Sequence, residues 1–209
     1  MADMRAFRDA VTDWAAGGPG GPAGELAVRS GVRTAVLVEG PSDGAAVETL
    51  AARHGRDLSA EGVCVIPMGG AMNVGRYAGL LGPPGLGLRL AGLCDVGEQR
   101  FYDRGLDRAG APRRGFFTCT TDLEDELVRA LGVARVEEIV RAEGDLPAWR
   151  TFVRQPAQHG RLPHQQMRRF LGTKKGRKIR YGHLLVEALD LDHVPAPLHD
   201  LLAHLRSDH

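Results

Sequence analysis

RTAVLVEGPSD, residues 33–43, sets an acid directly behind an unbroken apolar run. Val-rich and closed by Gly40 and Pro41, the run has the composition of a strand buried on both faces. PSDGAAVETLAARHG then reads as a helix that opens on a Pro-Ser-Asp entry. The alternation continues with VCVIPMGG as a strand and AMNVGRYAGLLG as a helix. LRLAGLCDVGE and RRGFFTCT supply two more strands, and TDLEDELVRALG another helix. Continuous apolar strands alternating with helices predict an α/β fold, a doubly wound parallel sheet flanked by helices.

Working outward, DMRAFRDAVTDWAA (3–16) has Met4, Phe7, Val11 and Trp14 at helical spacing, and GGPGGPAG (17–24) reads as a flexible linker or turn. Beyond Leu131 the patterns are helical only: VARVEEIVRAEG, PAWRTFVRQ, HQQMRRFLG, KIRYGHLLVEAL and PLHDLLAHLRS. Three segments result: an N-terminal helix and linker (1–24), an α/β domain (25–131) and a helical basic C-terminal lobe (132–209).

Hydrophobic residues make up 43% of the 209, enough for a sizeable core. No stretch approaches the roughly 20 apolar residues of a membrane span, and MADMRAFRDA lacks a secretory apolar region. Cys64, Cys94 and Cys119 sit in apolar runs without CxxC spacing, as buried free thiols of a reducing cytoplasm do. The histidine pairs His159/His164 and His199/His204 lack the accompanying Cys or Glu of a zinc site. No GxGxxG fingerprint is present.

A net charge of +1 conceals a segregation. Leu146 to Val186 holds ten Lys or Arg and no acid, whereas the remainder carries −9. An acidic body with an attached cationic surface suits a polyanion.

Catalytic groups in open α/β sheets gather at the carboxyl ends of the strands. Glu39, Asp43, Asp95, Glu98 and Glu124 all fall there, and several carboxylates at one edge repel one another unless a cation sits among them. Hard oxygen ligands select Mg²⁺ or Mn²⁺. Some of these acids also have structural readings. Asp43 suits a helix N-terminus, Asp95 a turn, and Thr121-Asp-Leu-Glu124 has capping-box spacing. Glu39 has no helix to cap. Gly69 and Gly70 fit either a phosphate-admitting loop or a tight turn.

VEGPSD (38–43), followed about 50 residues later by an Asp ending an apolar strand, resembles the Toprim domain of topoisomerases, primases and nucleases. VIPMGGAMNVGRYAGLL, TDLEDELVRALG and the helical tail with TKKGRK narrow the resemblance to the Toprim region of OLD-family (overcoming lysogenization defect) nucleases, over roughly residues 32–200. The resemblance implies a metal-dependent DNA endonuclease. Glu39, Asp43, Asp95 and Glu124 match its metal-binding acids, and Lys178 its active-site lysine. The family's Asp-x-Asp reads Asp95-Val96-Gly97 here, so the second carboxylate is missing unless Glu98 supplies it. OLD proteins usually carry an ATPase domain before the Toprim domain, but this chain has no GxxxxGK[ST], and GPPGLG lacks the P-loop lysine. ATP gating therefore calls for a separately encoded ATPase. DNA is the other expected partner, no membrane is expected, and a homodimer is left open.

All three lysines, Lys174, Lys175 and Lys178, fall in GTKKGRK, in a chain that otherwise uses 24 arginines. At the head of KIRYGHLLVEAL, Lys178 is placed to neutralise transition-state charge or protonate a leaving oxygen, with Glu39 as general base. Lys174 and Lys175, in the preceding loop, join Arg168, Arg169, Arg177 and Arg180 as backbone clamps. Rival readings are a Toprim ribonuclease, a nucleotide phosphotransferase or hydrolase, and a non-catalytic nucleic-acid-binding module that docks on an ATPase.

Overall fold

The computed structural model describes residues 2–173 and 175–206. Four strands, β1 (Thr34–Val38), β2 (Val63–Pro67), β3 (Arg89–Asp95) and β4 (Phe116–Cys119), form one parallel sheet in the order β2-β1-β3-β4. From β1 the chain goes to one side for β2 and returns to the other side for β3. The seam between β1 and β3 is therefore the switch point at which such sheets open a crevice. Gly92, opposite Leu37 on that seam, has no room for a Cβ between the Leu37 carbonyl and the Phe116 ring.

All five residues of β1 are buried because both faces of the sheet are covered. Ala35 and Leu37 enter one apolar cluster, with α1 (Ala2–Ala15), α4 (Val74–Leu81) and α5 (Gln99–Arg108). Val36 and Val38 point the other way, as the two-residue strand period requires. Their cluster includes α3 (Pro41–Arg53), α6 (Leu123–Leu131), α7 (Val133–Ala142), α8 (Leu146–Val153), α9 (Pro163–Leu171), α10 (Lys175–Glu187) and α11 (Ala196–His204). Val136, Trp149, Met167, Phe170, Tyr181 and Leu201 share this core with the sheet, so the core runs across the change of pattern at Leu131. The three cysteines are buried and free. Among the described residues, no helix is long and apolar enough to cross a membrane.

Two helices depart from the sequence reading. The segment read as a linker is the ordered entry to α2 (Gly21–Ser30), which has Pro near its start and the left-handed Gly31 (φ 63°) at its end. Gly20 packs so closely on Trp14 that a Cβ would fall 2.6 Å from the indole, so this glycine serves packing as well as turning. Helix α5, QRFYDRGLDR, was not expected at all. Its apolar stripe is narrow and Gly105 interrupts it, but that glycine is where α5 meets Gly75 of α4 backbone to backbone.

Candidate functional site

Glu39 follows β1 directly. Its carbonyl accepts from the N–H groups of Gly69 and Gly70, both at 3.0 Å, and these glycines have φ of 74° and 130°. Their amides are thus spent on a tight turn and not offered to a phosphate. Asp43, in the first turn of α3, is buried and accepts from Gly40 N–H at 2.8 Å, so its capping role is real. Asp95 is the last residue of β3.

Glu124 lies in the first turn of α6 and is 6% exposed. The expected capping box at Thr121 does not form. The cap is Asp122, whose Oδ1 accepts from Asp125 N–H at 2.8 Å. Glu124 is thereby released from capping, and Lys178 Nζ stands 3.2 Å from its Oε1. Lys178 does not open its helix, which begins at Lys175; it sits in the first turn, facing the acids.

Burial pushes the Asp43 carboxyl up to about 7, with the neighbouring Glu124 and Glu39 adding to the rise. Asp95 is likewise pushed up to about 7, by burial first and then by Glu39, Asp122, Asp43 and Glu124. Glu124 is also raised, by burial and by Asp122, against the pull of Lys178. These mutual effects place the predicted acids Glu39, Asp43, Asp95 and Glu124 in one electrostatic cluster. Glu98, half-buried in the turn after Asp95, is not among the acids that act most on it. Asp122 is, and the sequence reading missed it because Thr121 offered the more familiar cap.

Burial alone would lower the Lys178 amine, but Glu124 and Asp43 outweigh it and hold the amine above its usual value. A permanent ammonium stabilises negative charge better than it transfers protons.

The donor chemistry suits a hard divalent cation. Every strand-end ligand candidate is a carboxylate, and burial keeps the nearby Cys94 and Cys119 thiols protonated. Among the described residues, however, no three acid, His or Cys side chains already enclose a cation position. Asp43 is turned to Gly40, Glu124 to Lys178, and Asp122 to Arg168. Side-chain rotation of these groups would have to accompany metal uptake.

The basic helices are less free than their charge suggests. Arg168 bonds Asp122 at 2.6 Å. Arg177, 8% exposed, forks onto Asp145 at 3.1 and 3.2 Å and stacks 4.3 Å from the Phe170 ring centroid. Its job is to tie α10 to the start of α8, which removes it from the expected phosphate clamps. Arg180 pairs with Glu143. Arg169 remains exposed. Lys174 lies outside the described residues, and Lys175 is described only by its backbone, which is helical and not in the expected loop. A cavity of about 320 Å³ gathers Asp122, Glu124, Arg168, Arg169, Lys178 and Phe152. Another, about 410 Å³, is lined from α1 and α3 and holds none of the strand-end acids.

A parallel sheet with acids gathered at its strand ends agrees with the Toprim resemblance of the sequence. Residues 32–96 match the family described as "Overcoming lysogenization defect protein-like, TOPRIM domain". The fold is similar to that of the C-terminal region of the Xanthomonas campestris pv. campestris OLD protein (26% identity, TM-score 0.66, covering 84% of this chain and 95% of that one). The C-terminal region of the Burkholderia pseudomallei OLD protein shares the fold at 21% identity (TM-score 0.65, covering 84% and 98%). Among functionally curated proteins, none matches the chain. Residues 32–96 are thus similar to an OLD-like Toprim domain, and the fold is shared with the C-terminal regions of OLD proteins.

Proposed function

We propose that the cleft is the active site of a Mg²⁺- or Mn²⁺-dependent endonuclease that hydrolyses phosphodiester bonds in DNA. The observation that carries this reading is the crowding of Glu39, Asp43, Asp95 and Glu124 at the switch point, where burial and mutual repulsion hold Asp43 and Asp95 near 7. Carboxylates so crowded form a site that a divalent ion stabilises. A bound ion supplies Lewis acidity and an activated water. Glu39, half-buried directly behind β1, takes the proton of the attacking water. The Lys178 ammonium offsets negative charge that develops on the phosphoryl oxygens. Arg169, with Arg168 once a phosphate competes for it, holds the backbone without reading sequence. A separately encoded ATPase partner and a cytoplasmic location belong to the same proposal.

Incubation of the pure protein with supercoiled and linear DNA tests it. Cleavage is expected with Mg²⁺ or Mn²⁺, none with EDTA, and none in folded Glu39→Ala or Asp95→Ala. Undiminished cleavage by Glu39→Ala would rule out this site. Gly97 in place of the second Asp favours a second reading, a Toprim module that binds nucleic acid without cutting it. Salt-sensitive DNA binding without cleavage in any metal would establish that one.

A further inference from the structure

We propose that the cleft continues into a nucleobase subsite floored by Phe152. The proposal rests on the nucleic-acid reading above and adds to it the form of nucleic acid the site accepts.

The cavity that holds Glu124, Lys178 and Arg169 shares Phe152 and Thr173 with a second cavity of about 430 Å³. The rest of that second space is bounded by Pro147, Ala148, Thr151, Gln155, Phe170 and Arg177. Among the described residues no acid lines it, and Arg177, the one cation among them, is already paired with Asp145. Two adjoining compartments therefore differ in chemistry. One is charged and suited to a phosphate; the other is largely apolar, with a few polar groups at its edge. A nucleotide carries that same pairing of groups, and the cationic compartment supplies the charge complementarity.

Phe152 is held in position. Its ring stacks on Trp149 (centroids 6.3 Å apart, planes at 23°) and tilts against Phe170 at 5.6 Å. Phe170 is in turn capped by the Arg177 guanidinium. A ring ordered in advance loses little freedom when a flat ligand stacks on it. The Thr173 hydroxyl is spent, donating to Phe170 carbonyl at 2.7 Å and accepting from Arg177 at 2.6 Å. Gln155 is exposed, and its side-chain amide makes no hydrogen bond among the described residues, which leaves it to meet a base edge.

A base can reach Phe152 only when it is out of a duplex stack. The subsite therefore favours single-stranded or frayed DNA beside the scissile phosphate, with little preference among bases, since each has a face to stack.

Fluorescence anisotropy in EDTA separates binding from catalysis. The probes are a single-stranded oligonucleotide and an abasic strand of equal length and charge. Wild-type protein should bind the base-bearing strand about tenfold more tightly, the size of one aromatic stack. Phe152→Leu should erase that preference and leave abasic binding unchanged. Ala148→Leu, which fills the cavity from its exposed rim and spares the core, should do the same. Salt-sensitive binding of both strands alike by the wild type overturns the subsite and leaves the nuclease reading standing. An equal loss on both strands in a folded Phe152→Leu protein also overturns it. Binding of neither strand by the wild type overturns the subsite, and the nuclease reading then stands or falls on the metal-dependent cleavage of supercoiled and linear DNA.

Discussion

The two walls of the cleft carry opposite charge on different terms. On the sheet side, backbone topology forces acids together, and two of them respond by holding protons up to about pH 7. On the helical side, several of the cations are neutralised one by one: Arg168 by Asp122, Arg177 by Asp145, Arg180 by Glu143. Crowding that Lys178 only partly offsets stores a demand for an external cation. Local pairing stores none and serves the fold. A count of charge does not distinguish the two, whereas the partners do.

Lys178 belongs to the helices by sequence and to the acids by contact, so it gives the largest effect. Lys178→Ala should reduce turnover on the order of a hundredfold in single-turnover assays, with DNA affinity little changed, as for a group that acts in the transition state. A loss in affinity alone would return Lys178 to the basic wall.

Arg177 and Arg169 separate structural from available charge. Arg177→Ala leaves Asp145 without its cation, with only the Tyr181 hydroxyl still donating to it, and should cost about 2 kcal/mol of stability in urea unfolding. Arg169→Ala should leave stability unchanged and lower the slope of log K against log salt by about one. If the two variants behaved alike, the distinction between paired and free cations would fail.

The acids give a smaller effect that depends on pH. Asp43 and Asp95 titrate near 7 in the folded protein, against an ordinary value of 3.8. Between those values the folded state keeps protons the unfolded chain has released, so metal-free stability falls as pH rises through the window. Asp95→Asn should therefore raise Tm in EDTA by a few degrees at pH 8, with the gain vanishing toward pH 4. An equal shift at both pH values would mean that electrostatic crowding is not its cause.

The sheet and its acids were legible because buried parallel strands leave unbroken apolar runs, and the run ending at Glu39 admits no helix to cap. Helix α5 was hidden by Gly105, whose packing value appears only once α4 lies against it. Asp122 was hidden by the Thr121 pattern, since both can cap and only backbone geometry chooses. The spent arginines were hidden by position: Asp145 and Glu143 stand just before the acid-free stretch that begins at Leu146, so the charge run excluded its own partners.

The central claim is that the crowded acids form a divalent-cation site. Calorimetric titration of Mn²⁺ into metal-free protein at pH 8, without nucleic acid, tests it most directly. The account predicts saturable binding that is lost when Glu39→Gln and Asp95→Asn are combined in a folded protein. Binding of equal affinity in that double variant, or no binding by the wild type, would contradict it.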